Sequence, residues 1–351
     1  MRFAAVISLL VALAIPSTAL AYSQASFGDW WVICDHQRHC TAFGFGKSDQ
    51  ATGFIRIERS GDPRDEPHVV IATPLPDRFG PAEGSVITMS VLGGAGLRTA
   101  LAGKRDADTS GGAFDYYYVD ASSADVRSKL IPALIGGREL VLSAPGAPQG
   151  SISLEGSAAA LRWMDAQQNR AGTVTALSAV GTAPANTIPR PPGRPVVRAG
   201  KPVSQYRLPK RLPPLLRKDP DLSCGGEEIG LEAYRLTKSL VLWGVSCGGM
   251  YNIPTVLRLA DEYGRKARPL RLEREEPSDE GASIVTTGGY DPTTRSLSEF
   301  VRGRGVGDCG TSNEWTWNGE RFVRTSTVVM AYCRGVPTSY WAVAHDVEVR
   351  R

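Results

Sequence analysis

The chain has 351 residues, of which 42% are hydrophobic and 22% charged, with a formal net charge of +4. This balance is that of an ordinary globular protein and excludes a disordered or fibrous chain. The length exceeds the usual single-domain size and points to two domains.

Residues 1–21 read as a signal peptide. Arg2 precedes an apolar run from Phe3 to Ile15, which is too short to span a bilayer, and Pro16 breaks it. Ala19-Leu20-Ala21 then supplies a cleavage site, placing the mature start at Tyr22, with no Cys there for lipidation. The later apolar runs are short, the best being Leu240 to Val245, so no transmembrane segment is expected after cleavage.

Residues 22–183 read as an amino-terminal β-rich domain. Expected strands are Trp30–Cys34, Cys40–Phe45, Phe54–Glu58, His68–Ala72, Val86–Leu92, Phe114–Val119, Glu139–Ser143 and Ile152–Leu154, separated by Gly, Pro and Asp. Two short helices interrupt them, one after Ser122 and Ser123 and running through Pro132, the other from Ser157 through Met164.

Residues 184–222 hold ten prolines, nine Lys or Arg and two acids, and read as an extended Pro-rich basic linker. Nine minus two gives +7, against +3 for the chain without Arg2, so the remainder carries −4. Residues 223–351 read as a carboxy-terminal β-hairpin domain with four Cys, including Val256–Leu259 with Leu270–Leu272, and Leu297–Val301. Asn318-Gly319 suits a two-residue type I′ turn, which sets Trp317 opposite Glu320, Trp315 opposite Phe322 and Cys309 opposite Val328. The fold class expected is mainly β (β-rich α+β), with two antiparallel β domains joined by the linker.

Six cysteines in an exported chain imply disulfides. With Cys34 and Cys40 on one side of the linker and Cys224, Cys247, Cys309 and Cys333 on the other, three within-domain arrangements exist, and pairing of sequence neighbours is preferred. On a chain-entropy basis the short loop contributes about 2.4 kcal/mol and each longer one about 3.5 kcal/mol. A Cys309–Cys333 bridge requires a bulge or fold-back in the GDCGTSN segment.

Several stretches carry a family resemblance. FGDWWVICDHQRHC near the start, WMDAQQNRAGTVTAL at Trp163 to Leu177, Tyr251-Asn252, GDCG at Gly307 to Gly310, WTWNGERF at Trp315 to Phe322, and CRG at Cys333 to Gly335 together resemble the secreted proteobacterial family called domain of unknown function 1176. The resemblance implies export and disulfides and supplies no activity. The histidines inside the first Cys hairpin depart from that pattern. The Cys-hairpin start and ISLEGSAAAL also resemble invasion-associated locus B proteins.

Candidate chemistry is sparse. Cys34, His36, His39 and Cys40 offer zinc ligand types, but four ligands in seven residues crowd one hairpin and oxidation consumes both thiolates, so a disulfide with two exposed imidazoles is expected. Asp106, Asp108, Ser110 and Gly111 open like a calcium loop, yet its twelfth position is Tyr117 rather than Glu. His345 and Asp346 are neighbours whose side chains leave a strand on opposite faces. The acidic cluster Glu273 to Glu280 contains Pro277 and reads as a solvated loop. No H-E-x-x-H or Walker motif is present, and the catalytic residues are unknown.

Trp315, Trp317 and Phe322 form an aromatic row that is a candidate binding platform if exposed and core if not. The function expected is that of a periplasmic or secreted, non-enzymatic envelope protein that binds a protein or polymer. Its linker would make weak contact with anionic surfaces, and no cofactor, metal or nucleic acid is expected. An enzyme of unrecognised type is the alternative, favoured by a polar cleft with perturbed carboxylates. A purely structural envelope protein is the third.

Overall fold

The computed structural model of the chain describes residues 22–47, 53–74, 84–94, 96–105, 116–145, 149–205, 208–226, 228–274 and 283–351. The expected signal peptide, the calcium-like positions Asp106 to Gly111 and most of the Glu273–Glu280 cluster lie outside them.

The amino-terminal half contains β1 (Tyr22–Phe27), β2 (Trp30–Asp35), β3 (Cys40–Phe45), β4 (Phe54–Arg59), β5 (His68–Pro74), β6 (Val86–Leu92), β7 (Leu97–Ala102), β8 (Lys104–Arg105), β9 (Tyr116–Asp120), β10 (Glu139–Ser143) and β11 (Gly150–Ser153). They form a seven-stranded sheet in the order β1-β2-β3-β4-β5-β9-β8 and a four-stranded sheet in the order β11-β10-β6-β7. Helices α1 (Ala124–Gly136) and α2 (Ser157–Gln167) match the two expected, and α1 continues through Pro132. β1, β7 and β8 were not foreseen, because TALA and YSQASF offer few large apolar residues to mark a strand.

β2 reads WWVICD and is buried along its whole length. Alternate side chains of a strand leave on opposite faces, so Trp30, Val32 and Cys34 enter one core while Trp31 and Ile33 enter another. The first core fills the space to the four-stranded sheet and the two helices, with Ile57, Ile71, Leu134, Leu140 and Leu161. Trp30 fits there because its register partner on β3 is Gly44, where a Cβ would meet the indole at 2.6 Å.

The carboxy-terminal half contains β13 (Glu228–Arg235), β14 (Val241–Cys247), β15 (Pro254–Ala260), β16 (Arg268–Pro269), β17 (Ile284–Thr286), β18 (Tyr290–Asp291), β19 (Ser296–Arg302), β20 (Gly310–Trp317), β21 (Phe322–Met330), β22 (Ala342–Asp346) and β23 (Glu348–Arg350). One sheet runs β13-β14-β15-β16 with β17 also on β15, and a second runs β18-β19-β20-β21-β22, with antiparallel pairing throughout. The fold is thus mostly β, in antiparallel sheets. The 270–272 segment adds Leu270 and Leu272 to a core but no strand.

The second core joins the halves. Trp31, Phe43, Phe45, Phe54 and Tyr116 pack with Met330, Val336, Trp341, Ala342 and Ala344. Phe54 lies edge-on to Tyr340 with ring centres 5.4 Å apart, and the Tyr116 hydroxyl donates to the Gly335 carbonyl. The inner strands β2 to β5 are therefore covered on both faces, one by their own half and one by the distant half.

The described residues of 184–222 are irregular, with short 3-10 turns at Ala185–Thr187 and Leu216–Lys218, and are laid against both halves rather than held free between them. Arg38 donates to the carbonyls of Pro189 and Arg190 at 3.0 and 3.2 Å. β12 (Val196–Arg198) pairs in parallel with β23, and Gly200 N–H donates to Trp317 O at 2.8 Å. Leu208, Leu212, Leu216 and Leu222 cover the outer face of β14 and β15. Their spacing of four along part of this segment is masked in the sequence by its prolines and charges.

The three disulfides join sequence neighbours: Cys34–Cys40, Cys224–Cys247 and Cys309–Cys333. The Asn318 hairpin differs from expectation. Trp317 pairs with Phe322 and Trp315 with Arg324, because Asn318 Oδ1 accepts the N–H groups of Glu320 and Arg321 at 2.9 Å and closes a longer turn. Only Gly319 of the two central residues takes positive φ, at 107°, where type I′ needs both. A bulge between Glu314 and Trp315 shifts the register again, so the ladder ends at Gly310 opposite Met330. These two shifts bring Cys333 within reach of Cys309.

If the second core holds the halves together, truncation on one side should loosen the other. Trp341→Ala is expected to cost about 3–5 kcal/mol and to lower amide protection in β2, β3 and β4 as well as β22. Urea unfolding combined with hydrogen exchange reads both. Unchanged protection in β2–β4 would separate the halves energetically.

Candidate functional site

The loop closed by Cys34–Cys40 sits where both halves and the basic segment meet. Its backbone is set by Asp35, whose Oδ1 accepts the N–H groups of Gln37 and His39, both at 2.8 Å. Arg38 takes φ +59° to complete the turn. The side chains then point outward to different neighbours. The His36 ring lies 5.8 Å from that of His345 on β22. Gln37 donates to Asp346 O at 3.3 Å, and Arg38 holds the basic segment as described.

His39 Nε2 lies 2.7 Å from Glu58 Oε1, and Arg56 Nη1 donates to Glu58 Oε2 at 2.7 Å. Asp346, on the facing strand, pairs with Arg194. The disulfide and these pairs correct the picture of two exposed imidazoles: both histidines are half-buried, one against a carboxylate and one against another histidine.

Asp35, His39, Glu58, Asp62, Asp346 and Pro191 line a cleft of about 260 Å3. A second cleft of about 800 Å3 shares Asp62 and Pro191 and adds Arg64 and Arg190. Burial pushes the Asp35 carboxyl above its ordinary value, offset in part by the His39 N–H and the charges of His39 and His36. Burial also opposes ionisation of Glu58, but the His39 hydrogen bond and the Arg56 charge outweigh it and hold Glu58 at about 2. His39 is raised: burial disfavours its charge, and the hydrogen bond and charge of Glu58 more than compensate.

The aromatic row lies elsewhere and is not presented to solvent. Trp315, Trp317 and Phe322 are at most 3% exposed, in a core with Leu242, Leu257 and Leu297. Trp315 Nε1 donates to Glu273 O at 2.9 Å, and Trp317 and Phe322 contact each other with ring centres 5.2 Å apart. Only edges of Trp317 and Phe322 reach a cleft of about 520 Å3 rimmed by Arg268, Arg271 and Arg321. A stacking platform for sugar rings is therefore absent there.

Other segments singled out in the sequence prove to be polar staples. In WMDAQQNRAGTVTAL, Asp165 is fully buried, accepts the N–H groups of Leu177, Ser178 and Ala179, and pairs with Arg59 at 3.1 Å. Gln168 accepts from Arg59 Nε at 2.7 Å and donates to the carbonyls of Arg38, Arg59 and Ser60. Burial draws the Arg59 guanidinium down to about 10, with Arg170 adding to the effect and Asp165 countering it. Asn252 exchanges two hydrogen bonds with the Arg302 backbone. Asp308 of GDCG binds Arg304 through both oxygens and accepts Gly335 N–H at 2.6 Å. Gly310 is obligatory, since a Cβ there would lie 2.0 Å from Val301 O at φ +137°. Asp308, Cys309 and Cys333 cluster closely enough to suggest a metal, but both sulfurs are committed to the disulfide.

The residues at the seam were not found together by sequence. His36 and His345, or Gln37 and Asp346, are some three hundred positions apart, and no local pattern links them.

These features define a β-rich protein stapled by three disulfides, of a kind that fits an oxidising compartment outside the cytoplasm. No helix among the described residues is long and apolar enough to cross a membrane. The chain belongs to the family described as protein of unknown function (DUF1176), whose profile matches residues 24–348. It is 26% identical over 346 residues to the uncharacterized protein YpfG of Escherichia coli K12, covering 90% of this chain and 91% of that one. Among solved structures it is similar to invasion associated protein B from Bartonella henselae, at 16% identity and a TM-score of 0.29 over 42% of this chain and 99% of that one. That likeness is too slight to support an inference about function.

The His39–Glu58 pair makes stability depend on pH in a stated direction. Glu58 is depressed from 4.5 to about 2, so its contribution is present above pH 4.5 and is lost as pH falls towards 2. His39 is raised from 6.5, so its contribution is full below 6.5 and is lost as pH rises through its folded value. Glu58→Gln should remove both dependences. Urea midpoints of the variant should run closer to wild type near pH 2 than between 4.5 and 6.5; a gap constant with pH would deny the pair its role.

Proposed function

We propose that the protein is an exported, non-enzymatic envelope protein that contacts an anionic envelope surface through its basic segment. The observation supporting this is that Arg190, Arg198, Lys201, Lys210 and Arg211 are all exposed on a segment tied to both halves. A tethered ridge presents its cations without the ordering cost a free linker meets on binding. Each cation near anionic head groups contributes about 1 kcal/mol at best, and salt screens it beyond about 8 Å at physiological strength. Arg194 is spoken for by Asp346 and contributes less.

Replacing those five residues with Ser should abolish low-salt retention on phosphatidylglycerol-containing vesicles, while wild-type retention falls steeply as salt rises. Equal retention of the variant would remove the proposal.

A second reading is favoured by the cleft at the Cys34–Cys40 loop, where Asp35 is raised and Glu58 is depressed within one polar concavity. Carboxyls whose pKa values are pushed in opposite directions are the arrangement of an acid and a base. Against it, Asp35 braces its own loop and Glu58 is neutralised by His39 and Arg56. The enzyme reading requires that Asp35→Asn abolish any turnover found with envelope polymers while leaving the fold intact; turnover that survives would place the chemistry elsewhere.

A further inference from the structure

We propose that His36 Nε2 and His345 Nδ1 form a two-histidine site for a divalent transition-metal ion at the seam between the halves. Both nitrogens are buried and have no hydrogen-bond partner among the described residues. A buried polar atom left in that state calls for an explanation. The two rings stand 5.8 Å apart, tilted by 37°. Two imidazoles bound to one ion through nitrogens about 2.0–2.1 Å from it place their ring centres about 5–6 Å apart.

The tautomer of His345 fits a ligand. Its Nε2 faces the Arg324 carbonyl at 3.3 Å, and a carbonyl only accepts, so Nε2 carries the proton and Nδ1 keeps its lone pair. A metal-binding imidazole ordinarily anchors its other N–H on a carbonyl or carboxylate in this way. Among the surrounding charges, Asp35 acts on His36 and Glu273 acts on His345 in favour of a cation, while Arg324 opposes one. Both residues are only half-buried, so the site is reachable by rotation of a ring. With the neighbouring Cys34 and Cys40 oxidised, the protein offers nitrogen rather than thiolate, which selects zinc, nickel or copper(II) over softer ions. Water completes the coordination. His36 belongs to the first hairpin and His345 to β22, so a shared ion ties the two halves directly.

The test uses the full protein without a histidine tag, stripped with a chelator and titrated calorimetrically with zinc chloride. One ion per chain is expected, raising the melting temperature. His36→Gln and His345→Gln should each weaken binding roughly tenfold or more, while His39→Gln, whose ring is held by Glu58, should bind as wild type. Copper(II) paramagnetic resonance should show two nitrogen ligands in the wild type and one in either seam variant, which reads the site even if a variant is less stable. Absence of binding, binding indifferent to both seam substitutions, or loss confined to His39→Gln would overturn the proposal.

Discussion

The rest of the molecule depends on strands β2 to β5 having no solvent face. Trp31, Ile33, Phe43 and Phe54 form a second apolar surface on strands already buried on their first side. Left bare, such a surface would expose several large aromatic groups, each burying roughly 150–250 Å2 when packed. The segment from Met330 to Ala344, with Cys309, Phe300, Val328 and Val329 beside it, covers it. That requirement carries β22 and the Cys333–Gly335 turn onto the amino-terminal half, and the Cys34–Cys40 loop then falls against His345 and Asp346. The basic segment, which must connect the halves, is drawn along their shared margin.

Strand positions in the first half were legible because WWVIC, CTAFGF and FIRIER are dense in aromatic and β-branched residues between turn formers. The same density held more information than a strand assignment. A strand with one wet face alternates, and WWVIC does not, so its continuous apolar run already required cover on both sides. What remained illegible was the source of that cover. The hairpin at Asn318 shows a different limit: the dipeptide suits a tight turn, but the Asn side chain satisfies two backbone donors of a wider one, in which Trp317 packs on Phe322.

The seam was unreadable for a related reason. Its histidines and carboxylates come from the first hairpin, from β4 and the loop after it, and from β22, and only the fold assembles them. The patterns that stand out in the sequence, by contrast, turn out to place buried polar groups. Asp165, Asn252 and Asp308 each satisfy backbone donors that would otherwise be stranded inside the protein. Residues specified so tightly by internal bonding mark the scaffold, and the adaptable chemistry lies at the junctions between its parts.

The joint core also constrains how the chain is made. Contacts between residues near 31–54 and those near 330–344 close only once the chain has been made through residue 344, which places them among the slowest to form. Until then the amino-terminal sheet carries an uncovered aromatic face, the type of surface through which partly folded chains stick to one another. Synthesis from the amino terminus exposes that face for the longest time it could be exposed. Keeping the first half apart from its own copies until β22 arrives is therefore a demand that this fold places on the chain.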